Sequence, residues 1–223
     1  MQNPHQIALA TLPITAALLS LALISPARAE DEPKHTPPPA AASAGQPGEA
    51  EMMKQMMDLA KPNENHKLLA NMAGTWDYTV KFWMDPSKPP QESSGIAVRK
   101  AIMDGRYLSG EHNSKITMPG PEGKMQTFDF KGMSLDGYDN AKKKFINSWI
   151  DNMGTGIMQS EGTYDVATKT FTYTGNYEPM PGVMTKIRQT VKMPDADHQI
   201  FEYFETRGGQ EVKTMEINST RKK

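Results

Sequence analysis

Gly74-Thr75-Trp76-Asp77-Tyr78-Thr79-Val80-Lys81-Phe82-Trp83-Met84 sets the architecture of this chain. Large apolar side chains recur at every second position, at Trp76, Tyr78, Val80, Phe82 and Met84. A period of two puts those five on one face of a strand and leaves Thr75, Asp77, Thr79 and Lys81 on the other. Just ahead, Asn65 to Met72 reads as a short helix with Leu68, Leu69 and Met72 facing inward, and Asn63 can cap it. Gly74 suits the switch from helix to strand.

Working outward, the chain becomes a succession of strand-like runs separated by turn signals. Gly95 to Met103 and Arg106 to Thr117 pair across Asp104-Gly105, a strong hairpin signal. Met125 to Tyr138 and Phe145 to Asp151 make the next pair, followed by Gly156 to Val166, Phe171 to Glu178 and Val183 to Met193. Gln199 to Thr206 and Glu211 to Ser219 close the series across Arg207-Gly208-Gly209-Gln210. The expected fold is therefore all-β: an antiparallel up-and-down β-barrel of about ten strands behind a short N-terminal helical segment. Gly74, Trp76, Asp104 and Gly105 are its expected structural residues.

Composition bounds the possible functions. The 223 residues carry 25 basic and 26 acidic side chains, so no excess charge points to nucleic acid or an anionic membrane. There is no cysteine, which excludes disulfides, thiolate catalysis and Cys-ligated zinc. Residues Ile7 to Ile24 form an apolar run ending in Ser25-Pro26-Ala27-Arg28-Ala29, which fits a signal peptide cleaved before Glu30. A periplasmic or secreted protein is expected, with no stable membrane insertion after cleavage. Residues 1–29 would be the signal, 30–49 a Pro/Ala-rich linker and 50–223 one barrel domain with its N-terminal helix. The sequence sets no oligomeric state.

Glu51-Met52-Met53-Lys54-Gln55-Met56-Met57-Asp58-Leu59-Ala60 is helical by propensity and is stopped by Pro62. Met52, Met53, Met56 and Met57 share one stripe. Laid over an open end of the barrel, the stripe would bury its sulfurs among aromatic rings and stabilise the fold. Facing outward, it could offer three thioethers to Cu(I). The first arrangement is the expected one, with no copper binding and no metal or cofactor elsewhere.

The motifs carry a family resemblance. A short helix running into Gly74-x-Trp76, ahead of an antiparallel meander, resembles the calycin superfamily of lipocalins and fatty-acid-binding proteins. Leu69-x-x-x-x-Gly74-Thr75-Trp76, Arg106-Tyr107-Leu108, Gly137-Tyr138-Asp139-Asn140, Trp149 through Gly156 and Gly162-Thr163-Tyr164-Asp165 are closer to a bacterial family. That family is the one catalogued as domain of unknown function 1579. The resemblance spans about Met52 to Arg221 and implies a secreted calycin-like barrel with no agreed chemistry.

A ligand site would be assembled from strand faces. Trp149 and Asp151 share one, after Asn147; pointed inward, they line a cavity for a small apolar or amphipathic molecule. The plainer arrangement has Trp149 filling core and Asp151 hydrogen-bonding the following turn. Tyr107 and Glu111 share a face of their strand, and Glu202 and Arg188 complete the candidate ligand-binding set. An isomerase or cyclase would require Glu111, Asp151, Glu202 and Arg188 to converge on one cavity. A partner-binding role without a cavity would instead show as a large exposed apolar patch. No catalytic motif is present, and His66, His112 and His198 lack ligand spacing, so surface or capping roles are expected for them.

Overall fold

The structure, a computed structural model, describes residues 48–223. The signal peptide expected at 1–29 and nearly all of the linker expected at 30–49 lie outside the described residues. Two helices, α1 (Glu49–Leu59) and α2 (Glu64–Ala70), precede ten strands. The strands are β1 (Gly74–Phe82), β2 (Gln91–Ile102), β3 (Tyr107–Pro119), β4 (Met125–Asp139) and β5 (Lys144–Asp151). They continue as β6 (Met158–Asp165), β7 (Thr170–Met180), β8 (Val183–Lys192), β9 (His198–Arg207) and β10 (Gln210–Arg221). Each strand pairs antiparallel with its neighbours in sequence, and β1 pairs with β10 to close the barrel. Closure leaves no edge strand with unpaired backbone groups.

The pairings set the inner face of every strand. Trp76 and Tyr78 point inward, so their partners Ala97 and Gly95 do too, and from those His112 and Ser114 follow. On the outer face of the same strands stand Asp77, Thr79, Ile96, Glu111 and Asn113.

One end of the barrel is stopped by α2. Leu69 and Met72 pack with Leu108, Phe145, Phe171 and Tyr173 in one buried cluster, with Tyr138, Tyr164 and Val191 around it. Asn63 caps the helix: its side chain accepts from the Asn65 N–H, and its own N–H donates to His66 Nδ1 at 3.0 Å. His66 is thereby held in the tautomer that carries its proton on Nε2, and burial lowers its pKa. A capping role for His66 is thus what its place performs.

At the same end the Trp76 indole, fully buried, donates to the Met72 carbonyl at 3.0 Å. The Arg221 guanidinium lies 4.2 Å from the ring centroid and donates to the carbonyls of Asn71, Ala73 and Ala196. Gly74 has φ +137°, and a Cβ there would meet Arg221 Nη1. Only glycine combines that backbone with that approach.

One expectation holds and one changes. The hairpin between β2 and β3 is centred on Asp104-Gly105, since Ile102 pairs with Tyr107 across a four-residue loop. Met103, Asp104 and Gly105 all carry positive φ, at 50°, 56° and 78°, and the Gly105 N–H returns to the Ile102 carbonyl. The change concerns α1, which buries no residue and does not cover the barrel. Its stripe is exposed, and its last turn is tied to the β4–β5 loop by Asn140, whose Nδ2 lies 2.7 Å from the Leu59 carbonyl.

Candidate functional site

Beneath the aromatic stopper the inner wall turns polar. Arg99 on β2, His112 on β3, Ser134 and Asp136 on β4, Asn147 on β5, Ser160 on β6, Gln189 on β8 and Gln199 on β9 all point inward. Small residues make room for the large ones. Gly110 stands between Arg99 and Ser134 in the cross-strand row, and a Cβ there would strike the Ser134 hydroxyl.

Arg99 crosses above Trp76, 5.4 Å from its ring centroid, and donates from Nη1 to Gln199 Oε1 at 2.7 Å. That is its one hydrogen bond among the described residues, although a guanidinium carries five donors. Burial lowers its pKa; Asp136 opposes that shift and Arg221 adds to it. Asp136 accepts from Asn147 Nδ2 at 2.8 Å, and its pKa is raised by burial, against the pull of Asn147, Arg99 and Ser134. Arg99 and Asp136 make no ion pair.

His112 is pushed from 6.5 to about 3 by burial, with Arg99 adding to the effect. It is therefore a neutral imidazole, packed edge-on against Trp149 at 5.2 Å between centroids. Ser160 Oγ is buried without a hydrogen-bond partner among the described residues. Thr214 Oγ1 is likewise buried without a partner among the described residues.

Toward the other end the wall becomes apolar and aromatic. Trp149 stacks on Phe130 at 6.3 Å, over Gly132, where a Cβ would come within 2.4 Å of the indole. Its Nε1 donates to Asp151 Oδ2 at 2.8 Å, while Asp151 Oδ1 accepts from the Met153 N–H at 2.9 Å. Asp151 thus orients the indole and also closes the turn after β5. Val80, Phe128, Phe130 and Ile217 share the inner face and remain half-buried. Inward residues of a closed barrel keep accessible surface at an open mouth or where the interior is not packed solid. In the same part, Tyr177 donates to Glu205 Oε1 at 3.1 Å and is pushed up to about 12, chiefly by burial.

The residues read from sequence separate into two groups. Trp149 and Asp151 are inside. Tyr107, Glu111, Glu202 and Arg188 are on the outer wall, because register puts their strand neighbours inside. Tyr107 is 41% exposed, and Glu202 pairs with Lys213 at 3.1 Å. Arg188 holds Glu211 through two hydrogen bonds, at 2.8 and 2.7 Å, and lies over Phe204. The carboxylates an enzyme would need together are therefore dispersed.

Sequence reading missed Arg99, His112 and Asp136. Each sits in a strand whose two faces both carry polar residues, so alternation alone could not say which face was inner. Two open clefts mark the exterior, about 400 Å³ beside α2 at Leu68 and Tyr164 and about 460 Å³ beside Arg188 and Glu211. Neither includes Trp149, His112 or Arg99.

No curated protein matches the chain. The family model described as "Protein of unknown function (DUF1579)" matches residues 61–221. The match takes in α2 and all ten strands and leaves α1 outside, and the chain belongs to that family.

Proposed function

We propose that the barrel holds a small amphipathic molecule, with its polar end at Arg99 and His112 and its apolar part along Trp149, Phe130, Val80 and Ile217. The observation that carries this reading is Arg99: a half-buried cation that faces inward in a closed barrel and makes one hydrogen bond among the described residues. A ligand group rich in acceptors would complete it, and the unpartnered Ser160 hydroxyl offers a second polar contact. The calycin resemblance and the apolar run at Ile7 to Ile24 support a binding protein of the periplasm or exterior. Dispersal of Glu111, Glu202 and Asp151 gives an isomerase or cyclase nothing comparable.

Native mass spectrometry of protein isolated from its own host, with a thermal-shift screen of fatty acids and isoprenoids, tests the proposal. A ligand at a hundred times its dissociation constant raises stability by about 2.7 kcal/mol. The expected result is a co-purifying mass and a shift that Arg99→Leu removes. A barrel that carries no adduct and responds to no amphiphile overturns it.

A further inference from the structure

The methionines of α1 take no part in the barrel. Met52, Met53, Met56 and Met57 are 50%, 52%, 60% and 63% exposed, and nothing in the helix is buried. Successive residues on a helix turn by 100°, so Met52 stacks on Met56 and Met53 on Met57, with Met53 also one turn below Met56. The polar side chains Glu51, Lys54, Gln55 and Asp58 occupy the opposite arc, where Gln55 bonds Glu51 and Lys61 bonds Asp58. Among the described residues the helix is held at its C-terminal end, through Asn140 to the Leu59 and Lys61 carbonyls and Arg106 to the Ala60 carbonyl. Its methionine face is thus presented to solvent from a fixed base.

A face selected only for apolar contact could use Leu, Ile, Val or Phe. Here all four central positions are thioethers, the soft neutral donors that select Cu(I) over hard divalent ions. No cysteine is present in the chain to compete for the ion. Three sulfurs satisfy Cu(I), and two triads are available on this face: Met52, Met53 and Met56, or Met53, Met56 and Met57. Met53 and Met56 belong to both. Thioethers need not lose a proton to bind, so the site would keep its affinity in acid where a histidine site loses it.

We propose that the exposed face of α1 binds one Cu(I) ion through Met53, Met56 and one of Met52 or Met57. The inference is independent of the ligand in the barrel.

The test is anaerobic competition of the full chain against a chromophoric Cu(I) chelator at pH 7.5 and pH 5.5. Expected are one ion per chain, submicromolar affinity that is equal at the two pH values, and a loss of more than about 100-fold in the Met53→Leu/Met56→Leu double variant. Leucine keeps helix propensity and volume, so the barrel's thermal midpoint should not move. As a second measurement, Ag(I) should shift the methyl resonances of the α1 methionines and leave those of Met72 and Met158 in place. Absence of competition, affinity that survives the double substitution, affinity that falls with pH, or unmoved α1 methyl signals would each overturn the site.

Discussion

The Arg221 guanidinium lies 4.2 Å from the centroid of the fully buried Trp76 ring and at once donates to three backbone carbonyls. One side chain thereby joins the last strand, the end of α2 and the loop before β9. Arg221→Ala should cost roughly 2–4 kcal/mol, since hydrogen bonds from a charged donor and a cation–π contact are lost together. Arg221→Lys should recover less than half, because an ammonium cannot fork to several carbonyls. Urea denaturation decides; a loss under about 0.5 kcal/mol for the alanine variant would mean that the carbonyls are satisfied by water.

Trp76→Ala should cost roughly 3–5 kcal/mol, the range for truncating a large buried aromatic. The indole is 0% exposed and satisfies the Met72 carbonyl, so the variant also orphans an acceptor. A loss below about 1 kcal/mol in chemical denaturation would contradict the packing of this end.

His112 gives stability a pH dependence. Its pKa is about 3 in the fold, depressed by burial from 6.5. On unfolding the imidazole regains its ordinary value, so below about pH 6.5 the unfolded chain takes up a proton that the folded chain refuses. The contribution is complete above that pH and is lost as pH falls toward 3, by at most about 1.4 kcal/mol per pH unit. Stability curves for the native chain and for His112→Asn should therefore converge in acid. A constant difference from pH 7 to pH 4 would show a solvated imidazole.

Gly132→Ala should displace Trp149, because the added Cβ would lie 2.4 Å from ring atoms of the indole. The expected cost is about 1–3 kcal/mol, typical of overpacking, with a shift in the emission spectrum as the ring leaves Phe130 and His112. An unchanged spectrum would place the indole elsewhere.

Removal of α1, by starting the chain at Lys61, should change barrel stability by no more than about 0.5 kcal/mol, because the helix buries nothing. Thermal unfolding of the two chains makes the comparison. A fall of several degrees in the midpoint would restore the arrangement in which the methionines cover the barrel.

How far the sequence reached differs between local and non-local features. All ten strands were legible, because period-two alternation and turn chemistry are written within each run of residues. Gly208-Gly209 is a case where the turn fell where it was read: both have positive φ, at 57° and 81°, and Arg207 pairs with Gln210. The turn at Asp104-Gly105 also lies where it was read, with Ile102 paired to Tyr107 around it, although the left-handed backbone of Met103 just before it is not advertised by residue type.

Inner and outer faces were legible only where one face is plainly apolar. Trp76 and Tyr78 identify the inside of β1 unaided, and Trp149 does so for β5. On β3 the set Tyr107, Ser109, Glu111 and Asn113 looks no less suited to a cavity than Leu108, Gly110, His112 and Ser114. The choice between them was made by pairing with β2, where Ala97 faces His112, and beyond it by Trp76. A shift of one residue exchanges the faces of a whole strand, so the barrel's closure, and not the composition of β3, put His112 inside and Glu111 outside. The meeting of Arg99 with Gln199 is of the same kind. Those residues are 100 positions apart in the chain, and only the closing of β1 onto β10 brings them within reach.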